Sequence, residues 1–265
     1  MNDCLVTKLK ASINDASLEK LGYAPFEGAV DVYSDGTTWI DIVFSKPSKV
    51  ILEKGSLINS SVAPNGNVYE AQSFTANAQV GQIKINFDKY NIVKINAMVR
   101  GYSGKGIDIN SLKYSTNIDT INNIPSIYGD ISALSNLKEL QNLSLGMSAD
   151  DSLLLTGNIS SLRNLKKVTR LSLDRRTLIE GNIADLGSCT SLEWFQIGGT
   201  KIRGTIESFV QAQRLNGRTE GSITTPYLGA CRGLTFNGAA ITIVGNSKIE
   251  WTATTISLNG VTVTA

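Results

Sequence analysis

Four segments of this chain can be laid on one another. Gly129-Asp130-Ile131-Ser132-Ala133-Leu134 matches Gly157-Asn158-Ile159-Ser160-Ser161-Leu162, and the series continues at Gly181-Asn182-Ile183-Ala184-Asp185-Leu186 and Gly204-Thr205-Ile206-Glu207-Ser208-Phe209, where it fades. The first two copies run on into KELQNLSL at 138–145 and KKVTRLSL at 166–173, and the third into Leu192-Glu193-Trp194-Phe195-Gln196-Ile197. A degenerate earlier copy reads at Ile109, Leu112, Ile118 and Ile121. The isoleucine anchors at 109, 131, 159, 183 and 206 are 22, 28, 24 and 23 residues apart, an insertion near Met147–Ser152 accounting for the long step. A unit this short cannot bury its own apolar side, so the copies must stack and share one core.

Within Leu140-x-x-Leu143-x-Leu145, Val168-x-x-Leu171-x-Leu173 and Leu192-x-x-Phe195-x-Ile197 the last two apolar residues lie two apart and therefore share one face of a short strand. Over roughly residues 105–215 the chain resembles the leucine-rich repeats, and its G-x-I segments resemble those of plant receptor-type repeats. The resemblance implies parallel coils and a strand face that binds partners. It breaks where an asparagine normally bonds the backbone inside the turn after LxL: Ser148, Arg176 and Thr200 stand there. Serine and threonine can substitute in part and arginine cannot, so the expectation is an irregular, short solenoid with looser turns.

The flanks read as strands. Val30–Phe44 alternates on both sides of Asp35-Gly36, a hairpin signal, and extended runs follow at Lys49–Leu52, Val68–Phe74, Gln82–Phe87 and Ile92–Val99. Pro47, Pro64-Asn65-Gly66-Asn67 and Asp88–Tyr90 separate them, and Ser17–Gly22 is the one helical cue. Beyond the linker-like 216–222, alternating segments meet turn signals at Asn237-Gly238, Gly245-Asn246 and Asn259-Gly260. The expected fold is mixed and β-dominated: a β-sandwich or barrel-like domain over 1–104, a short leucine-rich-repeat solenoid over 105–215, and a small C-terminal β-sheet cap over 216–265. Nearly uncharged terminal strands leave edges that invite pairing, so a homo-oligomer is expected.

Composition limits the chemistry. Among 265 residues there is no histidine, which removes the commonest general base and metal ligand. Cys4, Cys189 and Cys231 form no CxxC cluster; a Cys189–Cys231 disulfide and three separate buried thiols both remain open readings. Gly101-Tyr102-Ser103-Gly104-Lys105-Gly106 lacks the spacing of a phosphate loop. Asp150, Asp151 and Asp174 have no loop of alternating acids around them that would hold calcium. No enzyme activity, cofactor or metal site is expected. With 25 Lys+Arg against 23 Asp+Glu interspersed, neither nucleic acid nor membrane insertion is expected. The amino-terminal MNDCLVTKLKASI carries Asp3, Lys8 and Lys10 and no apolar stretch, and is not read as a signal peptide.

What remains is surface. In a solenoid of the kind the chain resembles, residues between the LxL leucines point outward, which nominates Trp194, Gln196, Arg170, Asp174, Arg175 and Met147 as partner-binding residues. Trp194 either centres that patch or covers the strand sheet beneath a neighbouring domain. The opening residues and the repeat-bearing middle also resemble virion structural proteins of crAss-like tailed phages of gut Bacteroidetes. That resemblance implies a head fibre, capsid decoration or tail component, made in the host cytoplasm, with other virion proteins or a host surface molecule as partners. The alternative is a bacterial leucine-rich-repeat adhesin that binds a protein or glycan.

Overall fold

The computed structural model describes residues 23–29, 38–54, 56–57, 68–78, 82–98, 107–122, 124, 127–145, 155–174, 178–226, 228, 231–242, 245–259 and 261–264. The Asp35-Gly36 turn, the Ser17–Gly22 cue, the 101–106 loop, Cys4, Ser148, Asp150, Asp151 and Arg176 lie outside them.

Six strands come first: β1 (Tyr23–Ala29), β2 (Thr38–Lys54), β3 (Ser56–Leu57), β4 (Val68–Ala78), β5 (Gln82–Asp88) and β6 (Ile92–Met98). Their pairings are antiparallel throughout, with β2 bonded to β4, β5 and β6. The sequence predicts a break at Pro47, yet β2 runs through it. The register against β4 shifts between Val43 and Ser48, so Pro47 sits in a bulge, where its missing N–H takes no bond from the ladder.

Each coil then supplies one strand to a front sheet and one to a back sheet. In chain order these are β7 (Ile107–Asp108, back), β8 (Thr120–Asn122, front), β9 (Ile127–Asp130, back), β10 (Asn142–Ser144, front), β11 (Leu155–Asn158, back), β12 (Arg170–Ser172, front), β13 (Leu178–Asn182, back), β14 (Trp194–Gln196, front) and β15 (Lys201–Thr205, back). All coil-to-coil pairings are parallel. The back strands are a feature the leucine pattern does not announce. They are two to five residues long, too short to show an alternation.

A 3-10 turn follows each back strand in the first four coils: Ile109–Leu112, Ile131–Leu134, Ile159–Leu162 and Ile183–Ser188. The residue before each is Asp108, Asp130, Asn158 or Asn182, whose side chain accepts from the backbone N–H two residues on at 2.8–2.9 Å. From the second coil on, the glycine before each cap explains why the caps line up; the first cap, Asp108, follows Ile107. Gly129, Gly157, Gly181 and Gly204 have φ of 105°, 120°, 124° and 117°. A Cβ on Gly181 would stand 2.6 Å from the Asn158 Oδ1 of the previous coil and 2.7 Å from Ile159 Cγ2. The glycine column therefore makes room for the neighbouring coil's cap, and the G-[D/N]-I motif is a ladder in space.

The fading fourth copy does not stop the stack. Ile206–Leu215 forms helix α1, capped by Thr205 Oγ1 on the Ser208 N–H at 2.9 Å, with Ile206, Phe209, Val210 and Gln213 buried at helical spacing. It lies so close to the fourth coil that a Cβ on Gly187 would stand 2.1 Å from that of Ala212. One more coil follows, with β16 (Gly221–Pro226) joining the front sheet beside β14 and β17 (Gly233–Phe236) joining the back sheet beside β15. β18 (Ala239–Ala240) turns back on β17 through Asn237-Gly238, both at positive φ (52° and 73°) as a tight hairpin requires. β19 (Asn246–Trp251), β20 (Thr255–Leu258) and β21 (Val261–Thr264) extend the front sheet antiparallel. The C-terminal cap is thus built by lengthening both sheets, and Phe209 meets Phe195 and Trp251 edge-on at 5.9 and 6.4 Å to close the end.

β6 pairs in parallel with β8, so the front sheet crosses residue 104 without a break, as it crosses residue 215 between β14 and β16. One apolar cluster of buried residues runs from Ile40 to Leu258. The chain is a β-dominated, mixed fold with parallel, stacked coils at its centre.

Candidate functional site

The exposed side of the front sheet is ordered by register. Leu143, Leu171 and Phe195 pair across adjacent coils and point inward, fully or almost fully buried. Their neighbours on each strand therefore point outward. One outward row runs Lys94, Thr120, Asn142, Arg170, Trp194, Thr224 and Lys248 across seven strands. A second places Ser172 opposite Gln196 and Asn96 opposite Asn122.

At the centre the Arg170 guanidinium carbon stands 3.8 Å over the ring of Trp194. Arg170 is exposed and Trp194 half-buried. The stack holds the arginine flat against the sheet, so both side chains lose little freedom when a partner arrives. The Asn96 and Asn142 side-chain oxygens on this face are enclosed and accept no hydrogen bond from the protein. Charge sits at the ends: Lys94 reaches Asp41 at 3.9 Å, and Lys248 reaches Glu250 at 2.6 Å. Over the ring of Trp251, at 4.9 Å, burial lowers the pKa of the Arg218 guanidinium from its ordinary value while the nearby Glu193 carboxylate opposes the shift.

Of the six residues the sequence nominates, the structure brings Arg170, Trp194 and Gln196 together on the front face. Met147 and Arg175 lie outside the described residues. Asp174 is a correction, being 6% exposed and not on the open face. The front strand ends at Ser172, so alternation stops there, and Asp174 falls in the turn that follows, where its charge adds to the burial that raises the pKa of the Cys231 thiol. Ser144 and Ser172, expected outward, are also largely covered, small side chains flanked by the neighbouring strands.

Thr200 fills the asparagine position as the sequence placed it, while the cysteine beside it was missed. Thr200 donates to the Ile197 carbonyl at 2.7 Å, and in the next coil Cys231 occupies the same place, its thiol donating to that carbonyl at 2.7 Å. The two side chains touch at 3.6 Å. The spacing around Cys231, with Leu234 three residues on, does not match the N/C-x-L of the repeat consensus, so no local signal marked it. Cys189 and Cys231 are both free and buried, which settles the disulfide question left open by the sequence. Burial pushes the Cys189 thiol up to about 12 and also raises that of Cys231. No cluster of three metal-ligating side chains occurs among the described residues, and no helix among them is long and apolar enough to cross a membrane.

No family model matches the chain, and no curated protein matches it. Among solved structures it is similar to the leucine-rich-repeat ectodomain of the receptor kinase SOBIR1 from Arabidopsis thaliana, at 14% identity over 54% of this chain and 75% of that one, with a TM-score of 0.37. It is also similar to internalin C2 of Listeria monocytogenes (15% identity, 59% and 81% covered, TM-score 0.29) and to an internalin, InlF, of the same species (18%, 53% and 46%, TM-score 0.26). With these TM-scores below 0.5, the fold rests on the coils' own registers and glycine geometry.

Proposed function

We propose that this chain is a non-enzymatic recognition protein that binds a protein partner on the exposed face of its front sheet, and that it does so as a structural or assembly component of a bacteriophage virion. The observation that carries the binding reading is the Arg170–Trp194 stack, flanked along its row by the small polar Asn142 and Thr224, with charge only at the row's ends. Tryptophan and arginine dominate binding hot spots, and here they are held before any partner arrives. The face is the outer side of a sheet running across seven short strands, which suits a protein surface better than a small molecule. The virion setting is supported by the sequence alone, through its low charge of 18% Asp, Glu, Lys and Arg and its amino-terminal resemblance.

The test is mass spectrometry of purified particles from the source, with the Trp194→Ala variant beside the wild type. The expected result is that the wild-type chain is present and the variant is depleted although its melting temperature is nearly unchanged. Recovery on bacterial cell surfaces and not in particles would move the same face to the adhesin reading. A large fall in melting temperature for Trp194→Ala would show the side chain to be structural and overturn the binding role.

A further inference from the structure

The turns leading into the front strands form an edge of the solenoid, distinct from the front face, and its first part is unlike the rest of the surface. Tyr90, in the turn between β5 and β6, is 52% exposed, and Tyr114, after the first 3-10 turn, is 49% exposed. Their rings lie 6.0 Å apart. The Lys89 ammonium is 5.9 and 5.5 Å from the two ring centroids, and that of Lys113 is 4.9 Å from the Tyr114 centroid. Two ammonium groups thus share one tyrosine ring. Lys89 as a whole is only 4% exposed.

The cluster is fixed in place. The Ser115 hydroxyl donates to the Lys89 carbonyl, tying the two turns together. Asp88, the nearest acid in the chain, accepts from the Tyr90 N–H at 3.0 Å and from Asn91 Nδ2 at 2.7 Å, so its carboxylate serves its own turn. The ion pairs seen among the described residues involve neither Lys89 nor Lys113.

The positive edge continues along the coils. Lys138 and Lys166 follow matching leucines in adjacent coils, and each N–H donates at 3.0 Å to the carbonyl two residues back, so their exposed side chains leave from equivalent points. Coils in parallel pairing are about 4.8 Å apart, a spacing at which like charges repel. The acid beside them, Glu139, is taken by Lys167 at 2.5 Å.

We propose that this edge is a second docking surface, for an acidic segment of a protein partner, with Tyr90 and Tyr114 as its anchor and Lys113, Lys138 and Lys166 as its charge contacts. The partner's carboxylates relieve the repulsion between coils, and an apolar side chain beside them covers the exposed rings. The rings are tilted by 40° and bear ammonium groups, so they do not offer the free parallel faces on which sugars or bases stack. The surface is independent of the front-face reading, and either can fail alone.

The experiment is a fluorescence-anisotropy titration of the full chain with a short glutamate-rich peptide carrying one central phenylalanine. A heparin oligosaccharide and a single-stranded DNA oligonucleotide of equal charge serve as competing probes. The expected result is saturable peptide binding that weakens with salt and falls about tenfold in Tyr114→Ala and in the Lys138→Glu, Lys166→Glu double variant, while Lys201→Glu on the back sheet leaves it unchanged. Thermal melts of each variant, and the milder Lys138→Gln, separate lost binding from lost folding. Tighter binding of heparin or DNA overturns the proposal. So does peptide binding that ignores Tyr114, or no saturable binding at all.

Discussion

Each coil turns twice between its sheets, and the two turns are built on different rules. The turn that leaves the back sheet repeats one device in three successive coils: a glycine at positive φ followed by Asp or Asn, whose side chain bonds an N–H two residues on. The turn that leaves the front sheet shows no such repeat among the described residues, where Thr200 and Cys231 serve successive coils with different side chains. A solenoid needs its coils held in register at one corner only. With the back corner set by the glycine ladder, the front corner is free to vary.

The strongest way to break that comparison is Gly181→Ala. The new Cβ meets Asn158 Oδ1 at 2.6 Å and holds a non-glycine residue at φ 124°, so the expected loss is about 3 kcal/mol, or roughly 10 °C in melting temperature. A loss no larger than that of an ordinary surface substitution would show that the ladder does not set register.

The corner between each 3-10 turn and the next front strand gives a second contrast. Leu137 and Leu165 fill it in two coils, and Cys189 fills it in the next, its thiol donating to the Leu162 carbonyl at 3.4 Å. With its folded pKa raised to about 12, the Cys189 thiol stays protonated while an unfolded one ionises near 9. Its contribution is therefore complete below pH 9 and is lost as pH rises towards 12, at up to about 1.4 kcal/mol per unit. Alkaline melts should show wild type falling more steeply than Cys189→Ala. Parallel curves would mean that the site is wetter than its burial implies.

Thr200→Val tests the front corner itself. The change keeps the shape, removes the bond to the Ile197 carbonyl and leaves the Ile202 N–H without its acceptor, for an expected loss of about 1 kcal/mol by chemical denaturation. A loss equal to that of Gly181→Ala would mean that both corners carry register and the contrast is false.

The same contrast explains what could be read in advance. Ile131, Ile159 and Ile183 and the LxxLxL leucines announced the coils because apolar spacing survives as pattern, and all of them are core. The back sheet did not announce itself, since a strand as short as Ile107–Asp108 leaves no periodicity. Arg170 and Trp194 were legible as outward positions on a strand, whereas the burial of Asp174 depends on where that strand stops. The Lys89–Tyr114 cluster was not legible at all. It needs two turns far apart in sequence to be tied by Ser115, and no local pattern encodes that contact.

The smallest expected effect sharpens the ladder most. Asp108, Asp130, Asn158 and Asn182 hold equivalent places, and Asp and Asn cap about equally well. Asn158→Asp should therefore keep the bond to the Ser160 N–H, now at 2.9 Å, and differ from wild type only by a carboxylate set one coil from that of Asp130. Both caps are near solvent, so the repulsion is worth a few tenths of a kcal/mol and is screened away at high ionic strength. The expected outcome is a slightly lower melting temperature in dilute buffer that rejoins wild type when salt is added. A salt-independent loss would locate the cost in geometry and show that the amide nitrogen of Asn158, which a carboxylate cannot replace, takes part in the ladder.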